Sequence, residues 1–231
     1  MLKKIKEELK KYSNKEKAKI LQGFFKTGKG QYGEGDVFIG VTVPQSRTVA
    51  KKYTNLSFED TNELLRSEIH EERLVALLIL VERFKEGNNE EKENIVDFYL
   101  KNTNKVNNWD LVDLSADKII GEYLFDKNTN ILRKLAKSKN LWERRIAIVA
   151  TFHFIKNNKF DETLKIAEIL LRDKHDLIHK AVGWMLREVG KRNQQIEEQF
   201  LKKQYKRVPR TMLRYAVERF DAAKKEFYLK K

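Results

Sequence analysis

The sequence predicts an all-α protein, built from HEAT-like helical repeats stacked into a curved α-solenoid. Three observations carry that expectation. Arg73, Trp109, Arg145, Lys180 and Arg214 recur at steps of 36, 36, 35 and 34 residues. Helix breakers are scarce, with two prolines in 231 residues and six of the ten glycines confined between Gly23 and Gly40. Apolar residues return at three- and four-residue steps, as in Leu74, Leu77, Leu78 and Val81. A period of this length describes helical hairpins that bury their apolar faces only against their neighbours. It falls short of the usual HEAT range and near tetratricopeptide length, but the aromatic and glycine pattern of tetratricopeptides is missing.

The elements follow from apolar spacing and from the turn signals between them. Helices are expected over 2–12, 15–26, 45–53, 58–67 and 70–85, then over 90–101, 109–125, 130–136 and 141–155. Further helices at 161–172, 177–191, 195–205, 209–220 and 222–229 complete the chain. Gly87-Asn-Asn, Asp126-Lys-Asn-Thr-Asn130 and Lys156-Asn-Asn158 punctuate the series, and Pro44 and Pro209 suit the first turns of their helices. The glycine-rich stretch 23–43 reads as a loop, with a short extended piece at 37–43. The whole of 1–231 is read as one helical-repeat domain.

Composition narrows the function classes. There is no cysteine, which excludes disulfides and thiolate metal sites and fits a cytoplasmic setting. No apolar run reaches the roughly 18 residues of a membrane span, so no membrane partner is expected. The net charge of +14 points to a polyanion. It is concentrated at the ends: residues 1–19 hold eight lysines and three acids, and residues 202–231 hold eleven Lys or Arg and three acids. Basic ends flanking an array that repeats Arg or Lys at one position favour nucleic-acid phosphates.

Two motifs invite other chemistry. Gly23-Phe-Phe-Lys-Thr-Gly28-Lys29 fits most of a phosphate-cradling loop, and Gly28-Lys-Gly30-Gln-Tyr-Gly33 fits a dinucleotide fingerprint. Neither follows a strand, and Gly30 stands where a magnesium-holding Ser or Thr belongs, so the stretch reads as a surface loop that needs positive φ. Lys26 and Lys29 remain there as candidate phosphate contacts. His175-Asp-Leu-Ile-His179 puts two imidazoles one turn apart without the glutamate or third ligand of a zinc site, so no metal is expected.

One turn beyond the periodic positions lie Leu77, Asp113, Val149, Trp184 and Glu218. An aspartate and a tryptophan thus occupy equivalent places in different repeats, with Trp109 sharing the face of Asp113. Trp109-Asp-x-Val-Asp113, Trp142-x-Arg-Arg145 and Lys180-Ala-x-Gly-Trp184-x-Leu-Arg-Glu188 resemble, in order and separation, three signature blocks of the AlkD-type DNA alkylation repair glycosylases. The likeness runs from about Lys15 to Phe220. It implies a concave face that binds duplex DNA and release of positively charged N3- and N7-alkylated purines without cofactor or metal. In the family pattern the aspartate is catalytic, two tryptophans contact the deoxyribose of the lesion and an arginine assists at the backbone. Carried over, these are Asp113, Trp109, Trp184 and Arg145, with Arg144 the alternative arginine if the register slips by one. Lys180, Arg187 and Arg214, with Arg144, Lys26 and Lys29, are expected to meet DNA. Where the best-known branch has a tyrosine, this chain has Phe24 and Phe25, followed by an insertion containing Tyr32-Gly-Glu-Gly-Asp-Val-Phe38.

The expected partner is therefore double-stranded DNA carrying alkylated purines, met by a monomer that associates with the nucleoid when bound. Three other readings share much of the sequence: a non-catalytic relative that binds distorted or branched DNA, a helical-repeat protein scaffold, and a repeat reader of single-stranded RNA.

Overall fold

The computed structural model describes residues 1–230, and among these the secondary structure is helical, apart from one isolated bridge. The all-α expectation holds. The chain forms two compact units, meeting in sequence between Ser115 and Ala116. The first holds α1 (Leu2–Lys11), α2 (Lys15–Phe24), α3 (Val43–Ala50), α4 (Phe58–Leu65), α5 (His70–Glu86), α6 (Asn89–Lys101) and α7 (Trp109–Asp113). The second holds α8 (Glu122–Leu124), α9 (Asn130–Ala136), α10 (Leu141–Ala150), α11 (Phe152–Lys156) and α12 (Asp161–Leu170). It continues with α13 (Asp176–Gly190), α14 (Gln194–Gln204), α15 (Arg210–Ala216) and α16 (Ala222–Leu229).

Short polar side chains set the helix starts. Asn14, Ser57, Asn88, Asn108, Asn140, Asn193 and Asp221 each accept a backbone N–H from the turn that follows. Such a cap satisfies one of the four N–H groups that a helix start leaves unpaired. Thr42 and Gln45 form a reciprocal capping box at α3, with Pro44 in its first turn.

In the first unit, α5 is the axial helix. Leu74 through Val81 are all buried, because α3, α4 and α6 pack around it. Lys6 on α1 pairs with Glu72 of α5 at 2.9 Å, and Tyr53 donates to Glu8 at 2.8 Å, tying α1 down. In the second unit, α9 packs on α10, and α12 and α14 pack on α13. The second helices of successive hairpins, α10, α13 and α15, also lie against one another. Gly183 marks a close approach of α13 to α15. A Cβ there would sit 2.4 Å from the Met212 carbonyl oxygen and 2.5 Å from the Tyr215 Cβ.

Two expected helices are broken. The run 109–125 ends α7 at Asp113, turns, and resumes through a π-turn at Asp117–Gly121. The run 141–155 pauses at Thr151. The Ser115 hydroxyl donates to the Leu111 carbonyl at 2.5 Å, and the Thr151 hydroxyl donates to the Ile148 carbonyl at 2.7 Å. Hydroxyls that bond back into the preceding turn weaken the helical ladder at that point. Asp113 therefore ends a five-residue helix, whereas the continuous pattern placed it inside a long one.

Glu197 of α14 is the costly member of the second unit. Its side chain is buried and Oε1 has no hydrogen-bond partner. Burial, with the neighbouring Glu198 charge added and the Arg187 charge only partly offsetting, pushes its carboxyl up to about 9. An unfolded glutamate ionises near 4.3, so between about pH 4.3 and 9 the folded chain keeps a proton that the unfolded chain releases. Stability drains away as pH rises through that window. Glu197→Gln should raise the melting temperature, by an amount that grows from pH 5 to pH 8 in thermal unfolding monitored by circular dichroism. Gly183→Val should lower the unfolding free energy in urea by about 2–3 kcal/mol, as overpacking does where backbone cannot retreat.

Candidate functional site

The site is built around the N-terminal turn of α5. Glu71 points its carboxylate back at the end of the glycine-rich loop, where it accepts the N–H groups of Ile39 (3.1 Å), Gly40 (2.8 Å) and Val41 (3.2 Å). Beside it Asp36, from the same loop, accepts from Arg73 at 2.6 Å, from Asn108 at 3.0 Å and from the His70 ring at 3.2 Å. The other ring nitrogen of His70 meets Asp110 at 2.8 Å. All of these side chains are buried. A parallel bridge between Val37 and Ile69 fixes the register of the loop on α5 and takes the place of the extended piece expected at 37–43.

The electrostatics explain why the cluster is stable. Burial opposes ionisation of Asp36, but His70, Arg73 and Asn108 outweigh it and hold the carboxyl below its ordinary value. Burial likewise opposes a charge on His70, yet the carboxylates of Asp110 and Asp36 together prevail over it and over the Arg73 charge, and they raise its value. With one ring nitrogen at Asp36 and the other at Asp110, His70 joins loop, α5 and α7 in one network.

That network stacks the rings. Trp109 and Phe25 lie nearly parallel, with centroids 5.0 Å apart and planes 9° apart. Phe25 stacks on Phe38 at 4.8 Å, and Phe38 on His70 at 4.5 Å. Phe24 turns its edge to Trp109 at 5.8 Å. Beside this column is an apolar cavity of about 440 Å³, within the range of small-molecule sites. Trp109, Phe24, Phe25 and Ile20 line it, and Asp113 and Lys17 supply charge. Trp109 and Asp113 are both half-buried. The structure thus brings together the aspartate and the first tryptophan that the sequence singled out.

The remaining candidates differ in setting. Lys26 and Lys29 are exposed, outside the cavity lining, and no ion pair holds them. Lys26 takes the left-handed conformation with φ 53°, and Gly30, Gly35 and Gly40 have φ of 76°, 85° and 83°, as a surface loop needing positive φ demands. In the second unit Arg145 is buried on α10 and donates to the Leu177 carbonyl at 2.6 Å. Arg144 pairs with Asp173 at 2.5 Å and donates to the carbonyls of Ser138 and Lys139, a clasp across a helix start. On α13 Lys180 pairs with Asp176 at 2.8 Å, Trp184 lies 5.7 Å from the Phe152 ring, and Arg187 pairs with Glu218. Arg214 of α15 is exposed. The periodic position is therefore no uniform row of open cations, because Arg73 and Arg145 are consumed in buried contacts. His175 caps α13 through its ring, accepting the Leu177 N–H, and His179 bonds the Asp173 carbonyl at 2.6 Å.

Sequence reasoning missed His70, Glu71 and Asp110. The motif Tyr32-Gly-Glu-Gly-Asp-Val-Phe38 carried a signal for Asp36 and Phe38, but nothing in the spacing pointed to their partners on α5 and α7.

Comparison with known proteins adds findings about likeness. The profile of a family described as DNA alkylation repair enzyme matches residues 5–220. The solved structure of a predicted DNA alkylation repair enzyme from Enterococcus faecalis superposes with a TM-score of 0.69 at 19% identity, covering 91% of this chain and 97% of that one. AlkD2 from Streptococcus mutans gives 0.58 at 18% identity, covering 90% and 99%, and the smu.31 protein of Streptococcus mutans UA159 gives 0.59 at 19%, covering 78% and 93%. None of the curated proteins matches significantly. At these identities the structural likeness speaks to fold.

The network of His70 and Asp36 sets a pH window. The raised His70 contributes stability that is complete below about pH 6.5 and lost as pH rises through its folded value; the depressed Asp36 contributes stability present above about pH 3.9 and lost as pH falls through its own. The melting temperature of wild type should exceed that of His70→Gln most at pH 5 to 6, and the gap should narrow toward pH 9. A gap constant across that range would show that no imidazolium holds the loop.

Proposed function

The chain belongs to the family of DNA alkylation repair enzymes, and from that premise we propose that it is a DNA glycosylase releasing positively charged N3- or N7-alkylated purines from duplex DNA. The observation that carries the reading is the placing of a carboxylate, Asp113, with the indole of Trp109 at an apolar cavity. An alkyl group on N3 or N7 makes the purine cationic and a good leaving group. As the N-glycosidic bond stretches, positive charge moves to the sugar in an oxocarbenium-like transition state. A carboxylate fixed where water is scarce stabilises that developing charge more than one in bulk solvent. Trp109 offers an electron-rich face to the same cation, and Trp184 is the second tryptophan of the family pattern.

In this scheme Asp113 also orients the water that attacks the sugar. Arg145, or Arg144 in its place, serves the backbone of the lesion strand, and Lys180, Arg187, Arg214, Lys26 and Lys29 neutralise phosphates. The chemistry needs a charged, labile base, so neither a metal nor an organic cofactor has a step to perform. The enzyme works as a monomer on the nucleoid.

One observation favours a second reading. Phe25 already covers one face of Trp109, which leaves that indole less surface for a sugar. A relative that binds distorted DNA without excising bases would tolerate this.

Base release separates the two. Wild type should free N7-methylguanine or N3-methyladenine from duplex DNA, and Asp113→Asn should lose about 100-fold or more of that rate, the scale of removing one preorganised electrostatic partner, while duplex affinity stays unchanged. Binding without release by wild type would select the non-catalytic reading. Arg214→Ala should weaken duplex binding and lower the slope of log affinity against log salt by about one.

A further inference from the structure

Helix α2 is unlike its neighbours in that none of its ten residues is buried. It is held by its ends. The Asn14 N–H bonds the Ile39 carbonyl at 2.9 Å, and Gln22 reaches the Asp36 carbonyl at 3.2 Å. Between these anchors it borders the cavity, and it carries two of the most exposed large apolar side chains of the molecule, Ile20 at 69% and Phe24 at 61%. Four residues apart, they stand on one side of the helix.

The same segment is rich in lysine. Lys15, Lys17, Lys19, Lys26 and Lys29 are all exposed and make no ion pair, and Glu16 is the only acid between Lys15 and Gly33. An exposed apolar pair on a segment with five unpaired cations and one acid suits neither a protein core nor a second copy of the same segment, since like charges would meet. It suits a polyanion with an apolar interior. Stacked base pairs between two phosphate backbones are such a partner, and proteins that kink DNA press apolar side chains between base steps while cations hold the phosphates.

We propose that α2 is a DNA wedge: Ile20 and Phe24 enter the stack beside the damaged nucleotide, and Lys17, Lys19 and Lys26 hold the flanking phosphates. Phe24 leans by its edge on Phe25 and Trp109, at 5.2 and 5.8 Å, so the wedge is continuous with the aromatic column and borders the cavity that holds Asp113. The step it opens would therefore be next to the sugar that Asp113 serves. The inference rests on the DNA reading above and adds its mode of engagement, local unstacking driven by an exposed helix.

The test uses a duplex with a single tetrahydrofuran abasic site, which no glycosylase can process, and a 2-aminopurine beside it. Binding is followed by anisotropy and unstacking by 2-aminopurine fluorescence. Wild type should bind with a rise in fluorescence. Phe24→Ala should lose the rise and bind about tenfold more weakly, as expected for one lost base–aromatic contact, and Ile20→Ser, also at an exposed position, should reduce the rise. Lys17→Ala should keep the rise and lower the salt slope by about one. Bound wild type without a rise, or an equal rise in Phe24→Ala and Ile20→Ser, overturns the wedge. So does a dimer in sedimentation that these substitutions dissolve while the fluorescence response is unchanged. Base release is scored separately on alkylated duplex: unstacking without release keeps the wedge and rejects excision, release without unstacking does the reverse, and no duplex binding rejects both.

Discussion

The carboxylate of Glu71 is the constraint on which the rest of the candidate site depends. Three consecutive backbone N–H groups, Ile39 to Val41, converge on it at the buried start of α5. A buried carboxylate is costly unless it is fully hydrogen-bonded, and a loop without regular structure must find partners for its own N–H groups elsewhere. Each requirement answers the other. The loop is thereby fixed at one point, and Asp36, four residues before Gly40, is delivered to Arg73, Asn108 and His70. The aromatic column follows from that delivery, since Phe25 and Phe38 belong to the loop and Trp109 follows Asn108 directly.

Gly40 shows how narrow the arrangement is. Its φ of 83° is one that side chains avoid, and a Cβ there would lie 2.1 Å from the Asn14 carbonyl oxygen. Backbone meets backbone at this place, so the start of α2 can sit on the loop while the body of the helix spans the cavity without a buried face. The result is a half-buried candidate carboxylate beside a buried, charged network, with a helix at its border that has no buried residue of its own. Rigid parts give a carboxylate its value in a low dielectric, and a helix anchored at its ends is free to present apolar side chains to a partner.

The periodic positions teach a different lesson. Near-equal spacing assigned Arg73, Trp109, Arg145, Lys180 and Arg214 to equivalent places, and in the second unit the helices that carry the last three do pack in series. Their surroundings are not equivalent. Arg73 is spent on a carboxylate and two carbonyls, Arg145 on the carbonyl of Leu177, Lys180 on Asp176, and Arg214 faces solvent. Repeat register is set by helix packing, which asks only for apolar residues at regular steps. The partner of a polar side chain is set by whatever the next loop or helix brings near it.

The sequence by itself marked most of the helices and turns, the glycine loop and the shared face of Trp109 and Asp113, because these depend on contacts within four residues or on a repeating apolar stripe. It also marked the family, through three blocks whose order and spacing survive where overall identity is low. It could not foresee the breaks after Asp113 and at Thr151, since a hydroxyl bonds back into its own helix only when the packing around it permits. The tertiary structure alone decided that Glu71, His70 and Asp110 hold the loop, that Phe25 lies on Trp109, and that Ile20 and Phe24 stay outside. Those outcomes join residues far apart in the chain, Asp36 with Asn108 and Phe25 with Trp109 among them. Such partners are chosen by the fold that brings them together and leave no period in the chain.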